Sequence, residues 1–286
     1  MGTENLFGPA NGSQSNHYKL FIMVEIKHYL IVPAVFILMA SAVLAQELVQ
    51  NPAASLELKI EQPGGRHGAS VAYNPGAQLY YAVIAGNAEF PLETFASDGR
   101  NLKQSQAYSD MRGLWWNAKA GALEGNLFSD GGIVSIGLTS EGYAGTGNKQ
   151  IFAGADYQPN EQAVGTFDPK KKEILYYLDG AVVGYARKDG SMTGTYLMLS
   201  LPVGQESINL TTLIFTGVKG MELGVLDVVS KKVYLFSRKD GSLTGTVNLP
   251  AGTLTYEKFN FSYANGYVFL FDQENRKWVG YRIFEF

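Results

Sequence analysis

Apolar and polar residues alternate along Ser55–Glu61. Leu56, Leu58 and Ile60 point one way and Glu57, Lys59 and Glu61 the other, the period of two that marks a half-buried strand. Gln62-Pro63-Gly64-Gly65 ends that strand, and from there to the C-terminus short apolar runs recur between tight turns. One stretch offers strands at Val164–Phe167, Glu173–Leu178, Val182–Ala186 and Thr193–Leu199, parted by Asp168-Pro169-Lys170-Lys171, Asp179-Gly180 and Lys188-Asp189-Gly190. Asp-Gly between apolar runs predicts a hairpin, because the turn needs a positive φ that glycine tolerates. The following stretch repeats the plan as Leu213–Phe215, Met221–Val228, Lys232–Phe236 and Leu243–Leu249.

The repetition extends to the letters. Arg187-Lys188-Asp189-Gly190-Ser191 returns as Arg238-Lys239-Asp240-Gly241-Ser242, followed in each case by x-Thr-Gly-Thr. A period of roughly 50 residues with β-rich units is the signature of a radial array in which no single unit can bury both of its faces. Two series of turns keep this period along the whole chain. The turn after each first strand falls at Asn74-Pro75-Gly76, Asn117-Ala118-Lys119, Asp168-Pro169-Lys170, Gly217-Val218-Lys219 and Ala264-Asn265-Gly266. The turn before each fourth strand falls at Asp98-Gly99, Glu141-Gly142, Asp189-Gly190 and Asp240-Gly241.

The last unit holds three strands, Phe259–Tyr263, Tyr267–Asp272 and Trp278–Phe284. The orphan strand at Leu56–Ile60 supplies the fourth, which closes the ring and removes the open edges of an unclosed array. The sequence therefore predicts an all-β fold, a five-bladed β-propeller of four-stranded antiparallel blades occupying residues 55–286, with the N-terminal strand completing the last blade. Blade period and turn placement over Leu56–Phe286 resemble secreted bacterial β-propellers in general. The blade length is similar to that of tachylectin-type lectins, whose recurring Gly-Gly-Trp is absent here. The likeness implies a fold and carries no activity by itself.

Composition sets the address. Ile26-Lys27-His28 precedes an apolar run that ends in Val43-Leu44-Ala45, the pattern of a secretory signal peptide cleaved between Ala45 and Gln46. The run Tyr29–Ala40 is shorter than the ~20 apolar residues of a membrane span. Residues 1–45 are thus expected to be an extension plus signal, with Met23 a better start than Met1, and 46–54 a linker. The mature chain is expected in the periplasm or outside the cell, without a membrane span. The chain has 286 residues, a formal net charge of −3, 46% hydrophobic residues and no cysteine, so its stability rests on packing rather than disulfides. Its near-neutral charge offers no footprint for nucleic acid, and Lys170-Lys171-Lys172 reads as a solvated turn tip.

In a propeller, the loops leading into the first strands form one mouth of the central channel. That plan gathers Arg66, His67, Asp110, Arg112, Gln162, Asn209, Glu257 and Lys258 at the entrance, with Trp115 nearby, as the candidate ligand-binding residues. Arg66-His67-Gly68 and Arg112-Gly113 place a cation beside a glycine that admits a close neighbour or a ligand. Trp115 and Trp116 point to opposite faces of one strand. Both are expected to pack as core between blades; the alternative turns one of them to the channel, as a platform for a sugar ring or another flat ligand. His67 is the sole histidine after the expected cleavage point. A lone histidine without cysteine cannot build a typical transition-metal site, and no phosphate loop or dinucleotide fingerprint is present, so neither metal nor cofactor is expected. The first expectation is a module that binds a small molecule, glycan or protein. The alternatives are a carbohydrate- or lactone-hydrolysing enzyme using Asp110, Asp156, Glu161, Glu206 or Glu257, and a structural partner in an envelope complex.

Overall fold

A computed structural model describes residues 47–86, 89–154 and 156–285. The expected signal peptide lies outside them. Among the described residues, twenty strands make five sheets of four. Blade 1 contains β2 (His67–Asn74), β3 (Leu79–Ala85), β4 (Pro91–Ala96) and β5 (Asn101–Gln106). Blade 2 contains β6 (Trp115–Asn117), β7 (Ala122–Asn126), β8 (Ile133–Leu138) and β9 (Ala144–Phe152). Blade 3 contains β10 (Thr166–Asp168), β11 (Glu173–Leu178), β12 (Ala181–Ala186) and β13 (Met192–Met198). Blade 4 contains β14 (Ile214–Phe215), β15 (Leu223–Asp227), β16 (Lys232–Phe236) and β17 (Leu243–Asn248). Blade 5 contains β18 (Phe261–Ala264), β19 (Tyr267–Asp272) and β20 (Lys277–Arg282), and its outer strand is β1 (Ala54–Lys59). Every strand pair within a blade is antiparallel, as hairpin connections require.

The ring closes through β1. Leu56 pairs with Gly280, Leu58 with Trp278 and Lys59 with Lys277. The ladder continues beyond the strand, with Val49 N–H donating to the Ile283 carbonyl at 2.9 Å and Ile60 N–H to Arg276 at 2.8 Å. Leu56, Leu58 and Ile60 are buried, whereas Glu57, Lys59 and Glu61 are exposed, the alternation seen in the sequence. Each of those three side chains contributes about 1.5–3 kcal/mol through removal from water.

Five apolar clusters fill the five gaps between neighbouring blades. Leu58, Phe271 and Trp278 meet Val71 and Ile84 between blades 5 and 1, and Tyr81, Val83 and Leu92 meet Leu123, Val134 and Ile136 between blades 1 and 2. Asn-type turns start most second strands. The Asn74 side-chain oxygen accepts from Gly76 and Ala77 N–H, and that of Asp168 from Lys170 and Lys171 N–H.

The duplicated Arg-Lys-Asp-Gly-Ser segment has two roles. Its Asp and Ser build the turn: Asp189 accepts from Ser191 N–H and Oγ–H, and Asp240 from Ser242 in the same way. Its Arg reaches back to the preceding blade. Arg187 grips Glu124 of blade 2 with Nε and Nη2, the former at 2.7 Å, and Arg238 bonds Glu173 of blade 3 at 2.7 Å.

Candidate functional site

The five inner strands enclose a channel whose two ends differ. At the entrance, where the loops lead into the inner strands, Arg112 is buried between two phenylalanine rings, 4.7 Å from the centre of Phe128 and 5.4 Å from that of Phe259. Its guanidinium bonds both oxygens of Asp110, one at 3.0 Å, and donates to Gln162 Oε1 at 3.2 Å. Phe259 also stacks on His67 with centroids 5.5 Å apart. The His67 Nδ1 lies 3.0 Å from the Gln273 amide. Burial, then the charges of Arg66 and Arg112, hold the imidazole below its usual range.

Phe259 occupies this place because its loop is tied down. Asn209 is fully buried, and its amide donates to the carbonyls of Tyr256 at 2.8 Å and Phe259 at 3.0 Å. Its oxygen accepts from Thr211 and Thr212 N–H, while the Thr211 hydroxyl accepts from Phe259 N–H at 2.7 Å. Phe259 and Asn260 both have positive φ, 53° and 56°. A bulky residue rarely takes that conformation unless its surroundings impose it. The loop thereby turns the Phe259 ring into the entrance as a stopper.

His67, Asp110, Arg112 and Gln162 therefore do meet, around a phenylalanine that the sequence did not single out. Asn209 positions that phenylalanine. Arg66, Glu257 and Lys258 stand exposed on the rim, their side chains making no hydrogen bond or ion pair among the described residues. Gly68 and Gly113 admit neighbours rather than open space: a Cβ at Gly68 would overlap Phe271 and Trp278, and one at Gly113 the Gly165 carbonyl of the next blade. Of the acids considered for hydrolysis, Asp110 is neutralised by Arg112, and Asp156, Glu161, Glu206 and Glu257 are exposed. Among the described residues, no three of His, Cys, Asp and Glu gather in a way that could hold a metal ion.

Below the stopper the channel narrows to a chamber of about 20 Å³ lined by Ser70, Thr166, Thr212 and Ser262. Ser70 and Ser262 hydroxyls lie 3.3 Å apart, and Ser262 accepts from Val71 N–H at 2.9 Å. The channel then widens at its other end, where the inner strands give way to the first turns, into a vestibule of about 310 Å³.

One aromatic from each blade lines that vestibule: Tyr73, Trp116, Phe167, Phe215 and Tyr263. They are register equivalents, each paired with a residue on the second strand of its own blade, namely Tyr80, Leu123, Ile174, Leu223 and Val268. Each wedges into the apolar cluster between its own blade and the one before. Phe167 is buried, and the other four remain half-buried, with part of each ring on the vestibule wall. Thr166 and Asn265 supply polar groups there, and Asn265 donates to the Tyr80 hydroxyl at 2.8 Å. The Tyr263 hydroxyl is buried without a hydrogen-bond partner, and burial pushes its ionisation well above the usual phenol range.

The tryptophan pair divides as strand alternation requires. Trp115 turns into the gap between blades 2 and 3, stacks on Phe167 at 6.0 Å and donates its indole N–H to Glu124 at 3.2 Å. Trp116 takes the half-buried place beside the vestibule. The sequence carried a signal for this ring of rings, since an aromatic stands one or two residues before the first turn in all five blades. No comparable signal marks Phe259.

No protein-family model matches the chain, and no curated protein matches it either. Among solved structures, the glutaminyl cyclase of Myxococcus xanthus is similar with a TM-score of 0.54 at 10% sequence identity, over 84% of this chain and 100% of that one. A Bacteroides uniformis protein assigned only as a candidate 6-phosphogluconolactonase gives a TM-score of 0.39 at 14% identity, over 78% and 74% of the two chains. At such identities a likeness extends to architecture alone. The chain is a five-bladed β-propeller with a stoppered entrance and an open, aromatic-lined end.

Proposed function

We propose that the chain is a binding module and that its ligand, a small molecule or glycan unit with a flat apolar face, enters the aromatic vestibule at the turn end of the channel. One observation carries this reading: five register-equivalent aromatics wall a single cavity of about 310 Å³. Ligand sites of this size are mostly apolar with a few placed polar groups, and here Thr166 and Asn265 line the wall among the aromatics. The entrance instead has its space taken by Phe259, and its central cation is already bonded to Asp110 and Gln162. Hydrolysis by entrance acids fits poorly with their exposure and with the Asp110–Arg112 pair, because an acid–base pair needs contrasting, partly desolvated settings. The likeness to a glutaminyl cyclase supports the scaffold, and none of the residues at either mouth argues for that reaction in particular.

The test is a screen of glycans and metabolites on the full chain, repeated with Trp116→Ala and with the rim variants Arg66→Ala and Lys258→Ala. Losing a central aromatic anchor weakens binding by about 2 kcal/mol, close to thirtyfold. Hits should lose that much with Trp116→Ala and little with the rim variants. The reverse pattern would move the site to the entrance.

A further inference from the structure

On the same face as the vestibule, between blades 2 and 3, a second cleft of about 660 Å³ has a different character. Its lining includes four apolar residues, the exposed Ala120 and Pro169, the half-buried Ala186 and the buried Phe167. Around it stand Lys119 from the first turn of blade 2, Lys171 and Lys172 from that of blade 3, and Lys188 from the Arg-Lys-Asp-Gly-Ser turn. All four lysines are exposed. Lys188 lies 3.2 Å from Asp189, and the other three have no ion-pair partner among the described residues. Arg187 also lines the cleft, but its charge is balanced by the buried Glu124, whose hydrogen bonds hold the guanidinium above its usual range. Four lysines thus line one concavity of a chain whose formal net charge is −3. A local field of one sign inside a concave surface concentrates ligands of the other sign.

We propose that this cleft binds an acidic glycan, a chain of sugar rings carrying sulfate or carboxylate groups. The occupant follows from a lining that combines lysines with small apolar residues. Lysines are flexible point charges that suit anions recurring along a chain without demanding bidentate geometry. The apolar part of the lining suits the apolar face of a sugar ring. Nucleic acid fits less well, because sequence-tolerant binding of bases uses exposed aromatic platforms, and the one ring in this cleft, Phe167, is buried at 7% exposure. The cleft stands apart from the vestibule except for that shared phenylalanine, so this proposal does not rest on the vestibule being occupied.

The experiment measures binding of the full chain to heparin, to polygalacturonate, to poly-glutamate and to single-stranded DNA across a range of salt concentrations. At least one of the two glycans should bind, with affinity falling as salt rises, and the arm that binds separates sulfate from carboxylate. Lys171→Glu/Lys172→Glu, and more so with Lys119→Glu, should weaken binding by at least about tenfold and flatten the salt dependence. Lys103→Glu, the same charge change on the outer strand of blade 1, should not. Four outcomes would each overturn the proposal: no binding of either glycan, binding unchanged in the triple variant, DNA bound as tightly as the glycans, or poly-glutamate bound more tightly than both.

Discussion

Replacing Arg187 with methionine isolates what the repeated segment does for the ring. Glu124 has no exposed side-chain surface, and the Arg187 side chain is 26% exposed. In the variant, Glu124 loses two charge-assisted bonds from the guanidinium and keeps only Trp115 and Asn117 as donors, each at 3.2 Å. Stranding one partner of a buried ion pair costs about 3–5 kcal/mol. Water reaches the arginine side of this pair, so the low end, about 3 kcal/mol, applies. For a domain of this size each kcal/mol moves the melting temperature by about 2–4 °C, which predicts a fall of about 6–12 °C in a thermal melt. The control is Glu124→Gln/Arg187→Met, which leaves no buried charge and should recover most of the loss, since replacing both partners is often close to neutral. A single variant melting within about 2 °C of the parent, or a double variant less stable than the single, would refute the argument that this arginine joins the blades.

Two further outcomes follow from the same geometry. Leu58→Ala, on the fully buried side of the closing strand against Trp278, should cost about 2–5 kcal/mol in urea unfolding, whereas Lys59→Ala beside it should change little; equal effects would mean that β1 is not packed into the ring. His67 should titrate in an NMR pH series below the ordinary imidazole value of about 6.5. Because its folded pKa is depressed, the unfolded chain binds more protons in that window, so this group makes stability rise with pH through it. His67→Gln should remove that part of the slope, and a His67 titrating above 6.5 would contradict the burial of the ring and its crowding by Arg66 and Arg112.

Much of the fold could be read from the sequence because hairpin turns and strand alternation are local. Glu173–Leu178, Lys232–Phe236 and Tyr267–Asp272 coincide with observed strands to the residue, and the two turn series located all five blades. The strands that lead in from the entrance were placed less well. The expected Val164–Phe167 is β10 at Thr166–Asp168, and the expected Phe259–Tyr263 is β18 at Phe261–Ala264. Their first residues belong to loops held by contacts distant in sequence, such as Val164 with Thr211 and Phe259 with Asn209.

The site was harder to read for the same reason. Polar residues clustered at the entrance loops, and polarity suggested a mouth open to a ligand. Whether a mouth is open depends on a ring arriving from another blade. Nothing in Lys258-Phe259-Asn260 announces two successive left-handed residues, because the conformation is imposed by Asn209 and Thr211 about 50 residues away. The aromatic ring at the other end was visible as Tyr73, Trp116, Phe167, Phe215 and Tyr263. Its meaning depended on knowing that the five positions share one register.

Indole N–H resonances test the two-ended channel most directly. Trp115 is bonded to Glu124 and Trp278 is buried beside Phe271, which leaves Trp116 as the indole at the open end. On titrating a ligand found in the screen, the account predicts that the Trp116 indole peak, assigned by its loss in Trp116→Phe, moves in a saturable way while the His67 imidazole and the Gln162 side-chain amide stay in place. Shifts at His67 and Gln162 with an unmoved Trp116 would show that the ligand displaces the Phe259 stopper and binds at the entrance instead.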